Sequence, residues 1–212
     1  MNSPQLVLVA AALAATACLA PAVEAPAVSA RLVTDTTPEV AEVRRLGESA
    51  INRLAGSLLR EVTTATAKGG PEGAVEVCHL RSLPITHGTV AGLPRITAVK
   101  RTSLKLRSPS NAPDAAEQQV LAHIDRLLAR GDVPPSLLVQ RVEPAQAAPE
   151  WRVYKPVAVA PACLQCHGDP AAQSETLRAK LKQYYPDDQA VGYKAGEWRG
   201  VIRVTVADAP AK

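Results

Sequence analysis

The chain has 212 residues, of which 47% are hydrophobic and 21% charged, with 24 Lys and Arg against 20 Asp and Glu for a formal charge of +4. That length suits one domain with a sizeable core and is short for two. The positive charges are dispersed, with no basic tail or stripe, which argues against a nucleic-acid partner.

The first element is the apolar run of residues 6–20, LVLVAAALAATACLA, followed by a Pro/Ala stretch. It is too short to span a bilayer comfortably and matches the core of a secretory signal, although its n-region, MNSPQ, lacks Lys or Arg. Val28-Ser29-Ala30 offers a small-residue cleavage site, so residues 1–30 are expected to leave as a signal peptide. A lipoprotein signal ending at Cys18 is the second reading, with alanine in place of the usual leucine three residues earlier. In either case the mature protein is expected in the periplasm, touching the membrane only if Cys18 is lipidated. Loss of residues 1–30 removes Glu24 and no cation, which moves the formal charge from +4 to +5.

Residues 31–37 read as a loose lead-in. From Pro38 apolar residues recur every three or four positions (Val40, Val43, Leu46, Ala50, Leu54, Leu58, Val62), the period of a helix. Thr37 before Pro38 supplies its N-cap, and Lys68-Gly69-Gly70-Pro71 its stop. A second short helix is predicted over 72–80, carrying Cys78 and His79, and then Pro84, Gly88, Gly92 and Pro94 break the chain into loops. Over 96–107, ITAVKRTSLKLR, the second half alternates as a strand, with Arg101, Ser103, Lys105 and Arg107 on one face. Residues 115–130 are helical again. Residues 132–149 are Pro-rich and receive no assignment. WRVYKPVAV (151–159) and WRGVIRVTV (198–206) read as strands, flanking a helix over 174–185 and a turn-rich segment. The sum is an α+β fold, an antiparallel sheet with a long N-terminal helix and inserted helices.

Between those two strands lies Cys163-Leu164-Gln165-Cys166-His167. In C-x-x-C-H, two sulfurs add across the two vinyl groups of a haem, and the adjoining histidine stands under the iron as its proximal ligand. The competing readings are a zinc site, which needs about four ligands, a redox dithiol, which needs a βαβ setting that is missing here, and a structural disulfide. All six aromatic residues fall between Trp151 and Trp198, on either side of the pentad, as core packing or as walls for a flat apolar ligand. The sole methionine is the initiator, so a Met axial ligand is excluded. The sixth position then falls to Cys78, His79, His87, His123, a lysine, water or nothing. Cys78 is also the one thiol left over once Cys18 leaves and Cys163 and Cys166 form thioethers.

The segments KRTSLKLRSPSNAPDAAE, PACLQCHG and DDQAVGYKAGEWRGVIRV, in this order, resemble the bacterial c-type haem domain with a PAS-like fold. That family was long catalogued as a domain of unknown function. It occurs as small exported proteins and as a sensor module. The resemblance covers residues 38–206 and leaves 207–212 as a tail. It implies one covalent haem c, a PAS-like sheet, and Cys78 as an unusual axial ligand opposite His167, with the adjoining His79 as the alternative. Haem propionates want guanidinium partners: Arg101 and Arg107 are the candidates, unless they form the solvent face of an edge strand. Tyr193 and Arg199, from the last segment, are further candidates for the pocket wall, whereas Trp198 reads as core. The function expected is redox or gas sensing by a non-enzymatic haem protein acting on a separate redox or signalling partner. A periplasmic electron carrier is the alternative, and a peroxidase-type enzyme the third reading.

Overall fold

The strand with the longest apolar alternation organises the molecule. In the computed structural model, which describes residues 28–88 and 91–209, β5 (Trp198–Ala207) sends Ile202, Val204 and Val206 to one face of a sheet and Val201 to the other. It is flanked by β4 (Glu150–Ala158) and β2 (Ile96–Thr102). β3 (Leu138–Glu143) lies beyond β4, and β1 (Ser29–Val33) closes that edge. The order is β1-β3-β4-β5-β2 with every pair antiparallel.

One face is covered by α1 (Pro38–Gly88), which starts with the Val40 amide donating to Thr37 Oγ1 at 3.3 Å. Its stripe, Val40, Val43, Ala50, Ile51 and Leu54, is buried against Val99, Val153, Ile202 and Val204. Gly47 lets the backbone settle onto the sheet, since a Cβ there would lie 2.5 Å from Val153 Cβ. The other face is covered by α2 (Ala115–Ala129), opened by an Asp114/Glu117 capping box and packed through Val120, Leu121 and Ile124 on Leu138, Tyr154 and Val201. Glu117 is fully buried there and is neutralised by Lys100 at 2.6 Å and Arg203 at 2.9 Å.

The α+β arrangement, with its long N-terminal helix and inserted helices, is as expected. Its details differ in several places. α1 bends at Gly69 and Gly70, whose backbone is non-helical (Gly70 φ 65°), a conformation that glycine adopts without strain. The second leg turns back far enough for Arg81 to pair with Glu61 at 2.5 Å. It runs past Leu80, through Pro84, to Gly88. β2 ends at Thr102, so the alternation of 103–107 belongs to a loop. Residues 29–33 of the lead-in and signal boundary form the edge strand β1, and the unassigned 132–149 contains β3. β5 reaches Ala207, and Asp208 in the expected tail binds Arg141. The run 6–20 and Cys18 lie outside the described residues. Among those described, no helix is long and apolar enough to cross a membrane.

Candidate functional site

Beside the core, on the α1 face of the sheet, lies a cavity of about 390 Å³, a size typical of small-molecule and cofactor sites. Leu58 and Val62 from the first leg of α1, Val75 and Cys78 from the second, and Val157 and Ile202 from the sheet line it. Cys163, Cys166 and His167 form a further wall, and Arg101, Arg107 and Arg199 border it.

The pentad reaches the cavity because the β4–β5 ladder continues past Ala158. The Val159 amide donates to the Glu197 carbonyl and the Gly196 amide to that of Val159, each at 2.8 Å. A 3₁₀ turn (Pro161–Cys163) then leads into the single turn α3 (Leu164–His167), closed by the Gly168 amide on the Leu164 carbonyl at 2.8 Å. No side chain fits at position 168, where a Cβ would lie 2.6 Å from that carbonyl oxygen. Helical spacing of three brings Cys163 and Cys166 to one side of the turn. Cys163 packs with Val159, Ala190 and Tyr193. Cys166 packs with Val75 and with Leu177 and Leu181 of α4 (Glu175–Tyr184), which Ser174 caps. Cys78, Cys163 and Cys166 are free thiols, and among the described residues no three His, Cys, Asp or Glu side chains converge to hold a metal ion. The two pentad cysteines are therefore not joined to each other, and no zinc-type ligand set surrounds them among the described residues.

His167 Nδ1 lies 2.7 Å from the Ala190 carbonyl oxygen. A carbonyl only accepts, so Nδ1 carries the proton and Nε2 keeps a free lone pair, the tautomer of a metal-ligating histidine. Burial, then the nearby Arg107 guanidinium, push the imidazole pKa down to about 3, against a smaller opposing effect of the Ala190 hydrogen bond. The ring is neutral at physiological pH. Tyr193, itself buried, meets its edge with ring centroids 6.3 Å apart. Tyr193 therefore backs the imidazole and is not among the residues lining the cavity.

The three arginines differ in what they already hold. Arg107 pairs with Asp188 at 3.0 Å and donates to the Cys166 carbonyl. Arg199 donates to Ser103 Oγ at 2.8 Å and the Lys105 carbonyl at 3.0 Å. Arg101 shares its strand face with Val99, beneath α1. It has no hydrogen-bond or ion-pair partner among the described residues, and burial lowers its pKa. Burial likewise pushes the Cys78 thiol up, and Arg101 and Arg107 pull it back.

Cys78 and His79 part as adjacent helical residues must. Cys78 lines the cavity, while His79 is exposed and stacks on Tyr184 at 4.7 Å. His87 is exposed at the end of α1, and His123 lies on α2 across the sheet. Sequence reasoning missed Asp188, the Ala190 carbonyl and Tyr185, which also lines the cavity. All three lie in or beside a turn-rich segment that carries no sign of its distant partners.

No curated protein matches the chain. Among solved structures it is similar to the crystal structure of the cyanobacterial heme-protein Tll0287, with a TM-score of 0.53 and 21% identity, covering 84% of this chain and 100% of that one. At that identity the likeness is one of fold. The Tll0287-like family model (Tll0287) matches residues 82–207, a span that contains the pentad and begins just after Cys78. With more than half its length matched by that model, the chain belongs to the Tll0287-like family.

Proposed function

We propose that this chain is an exported monohaem c-type protein that senses redox state or a small gas and is not an enzyme. The observation that carries the reading is the convergence of Cys163, Cys166, His167 and Cys78 on one cavity, with His167 Nδ1 committed to Ala190. The residues fit the group. Two free thiols on one side of a helical turn suit the two vinyl positions, and Nε2 is free for iron. The walls are largely apolar, and Arg101 is a guanidinium without a hydrogen-bond or ion-pair partner among the described residues, suited to a propionate. The fold neighbour described as a heme-protein supports the same reading. Bound haem would supply an iron whose axial positions answer to oxidation state and to small gases.

Cys78 is the proposed ligand opposite His167. An anionic thiolate favours ferric over ferrous iron and lowers the reduction potential, whereas Met raises it. Sensing is favoured by where Cys78 stands, on the leg beyond the Gly69–Gly70 bend. A change at its sulfur is a change in what holds that leg. The signal would pass to a separate redox or signalling partner in the periplasm, with a membrane anchor only if Cys18 is lipidated.

The test is a set of oxidised and reduced spectra of protein exported from a host competent for haem attachment. Wild type should give a pyridine haemochrome of the c type. Cys78→Ala should change the ligand-field bands and His79→Ala should not. A shift in His79→Ala alone removes the thiolate assignment, and absence of covalent haem removes the whole reading. Carbon monoxide or nitric oxide binding by the reduced form supports sensing. Inertness with rapid electron exchange would make the protein a carrier.

A further inference from the structure

Asp188 and Arg107 form an ion pair at 3.0 Å, with side chains 10% and 15% exposed. The two carboxylate oxygens are divided. Oδ2 takes Arg107 Nε, and Oδ1 accepts the Ala190 amide at 2.8 Å. The carbonyl of Ala190 is the acceptor for His167 Nδ1 at 2.7 Å. Arg107 also donates through Nη2 to the Cys166 carbonyl, in the peptide that leads into His167, and at 3.4 Å to the Ala190 carbonyl. The circuit closes on itself: His167 to Ala190, Ala190 to Asp188, Asp188 to Arg107, and Arg107 back to the residue before His167. The flanking loop adds two rungs, the Gln189 amide on the Leu106 carbonyl at 2.8 Å and Lys105 Nζ on the Val191 carbonyl at 2.6 Å.

We propose that Arg107 and Asp188 are positioning residues for His167, which hold the Ala190 carbonyl where it fixes the tautomer and plane of the imidazole, rather than partners of an anionic ligand. This deepens the haem reading and rests on it for its purpose, but the clamp belongs to the polypeptide itself. A planar fork is required, because one group must meet a carboxylate and a carbonyl on separate segments at once. Lysine, a single point donor, cannot span both. Asparagine at 188 keeps the shape while losing the charge that makes the pairing strong. The ligand atom itself is untouched by either change, so the effects should appear in the histidine's hydrogen bond and not in thioether formation.

The experiment compares wild type, Arg107→Lys and Asp188→Asn as full chains, with the ¹⁵N spectrum of His167 read in the apoprotein and solvent exchange of its Nδ1 proton read in the reduced haem-loaded protein. Wild-type apoprotein should show the Nδ1–H tautomer. Both variants should attach haem with an unchanged pyridine haemochrome, yet exchange the Nδ1 proton about tenfold faster, the worth of roughly one hydrogen bond. In the apoprotein they should show a mixture of tautomers. An Nε2–H tautomer in wild type overturns the proposal, as do variants that keep wild-type exchange and tautomer. If wild type attaches no haem, the haem reading fails separately, and the apoprotein tautomers still decide the clamp. Should Arg107→Lys not fold, Asp188→Asn and the milder Asp188→Glu carry the comparison. A return toward wild-type exchange in Asp188→Glu supports the clamp.

Discussion

A polar group that loses water on folding without gaining a partner costs up to about 1–3 kcal/mol, and the guanidinium of Arg101, at the cavity wall, is partly desolvated with no hydrogen-bond or ion-pair partner among the described residues. Replacing it tests what the side chain is for. Arg101→Met should raise the stability of the apoprotein by at most that amount and lower the gain that haem loading brings, both read as urea midpoints. A variant less stable in both states would mean that Arg101 serves packing. The contrast with Arg107 and Arg199 was beyond the sequence. All three read as cationic residues near motif segments, and only the fold shows which of them already has partners. The pentad, by comparison, was legible because its chemistry is contiguous. A single helical turn brings Cys163, Cys166 and His167 together, and no long-range contact is needed to see it.

At the scale of the element, the two glycines inside the first leg of α1 are predicted to behave oppositely. Alanine favours a helix over glycine by up to about 1 kcal/mol. Gly56 has only the flexible end of Arg60 near its missing Cβ, at 3.3 Å, so Gly56→Ala should raise the thermal midpoint. Gly47 has Val153 at 2.5 Å, and Gly47→Ala should lower stability by about 1–3 kcal/mol as overpacking between helix and sheet. If both variants are stabilised, α1 does not rest on β4 as closely as described. The stripe of α1 was readable from its period, and the bend from two adjacent glycines before a proline. The extent of the second leg was not, because Pro84 and Gly88 mark a break by local rules while Val75 is held by packing on α4. β3 went unseen for the opposite reason. Its six residues sit among prolines and turn formers, and pairing with β1 and β4 makes it a strand. The alternation at 103–107 misled because period two survives in a loop whose residues are placed by contacts to 188–193.

For the molecule as a whole, two ion pairs tie elements well separated along the chain. Arg141 on β3 holds Asp208 after β5, and Arg152 on β4 holds Asp114 at the start of α2, at 2.7 Å. The Arg141 hydrogen bond, opposed by partial burial, keeps Asp208 below the usual carboxylate range. For Asp114, burial acts upward, but the Glu117 amide and Arg152 outweigh it, and its pKa is lowered from 3.8. A carboxylate depressed in the folded state contributes stability that is fully present above its unfolded pKa and lost as pH falls through the folded value. The apoprotein should therefore hold its urea midpoint down to about pH 4 and lose it progressively below. Asp114→Asn should be less stable at neutral pH and show a flatter acid limb. An acid limb identical to wild type would remove Asp114 from the account.

The bend at Gly69–Gly70 sets Cys78 on a segment that returns to the cavity from a different direction than the pentad. About 85 residues of chain, with the end of α1's second leg, β2, α2, β3 and β4 among them, run between Cys78 and Cys163. A cofactor bonded at both would close that stretch into a covalent ring, as a disulfide does. A ring of that length removes about 4–5 kcal/mol of entropy from the unfolded chain in a chain-entropy account. Release of the Cys78 sulfur would open the ring while the thioethers stay intact. An exchange of one ligand would then alter the connectivity of the polypeptide and, with it, how freely the second leg of α1 departs from the body.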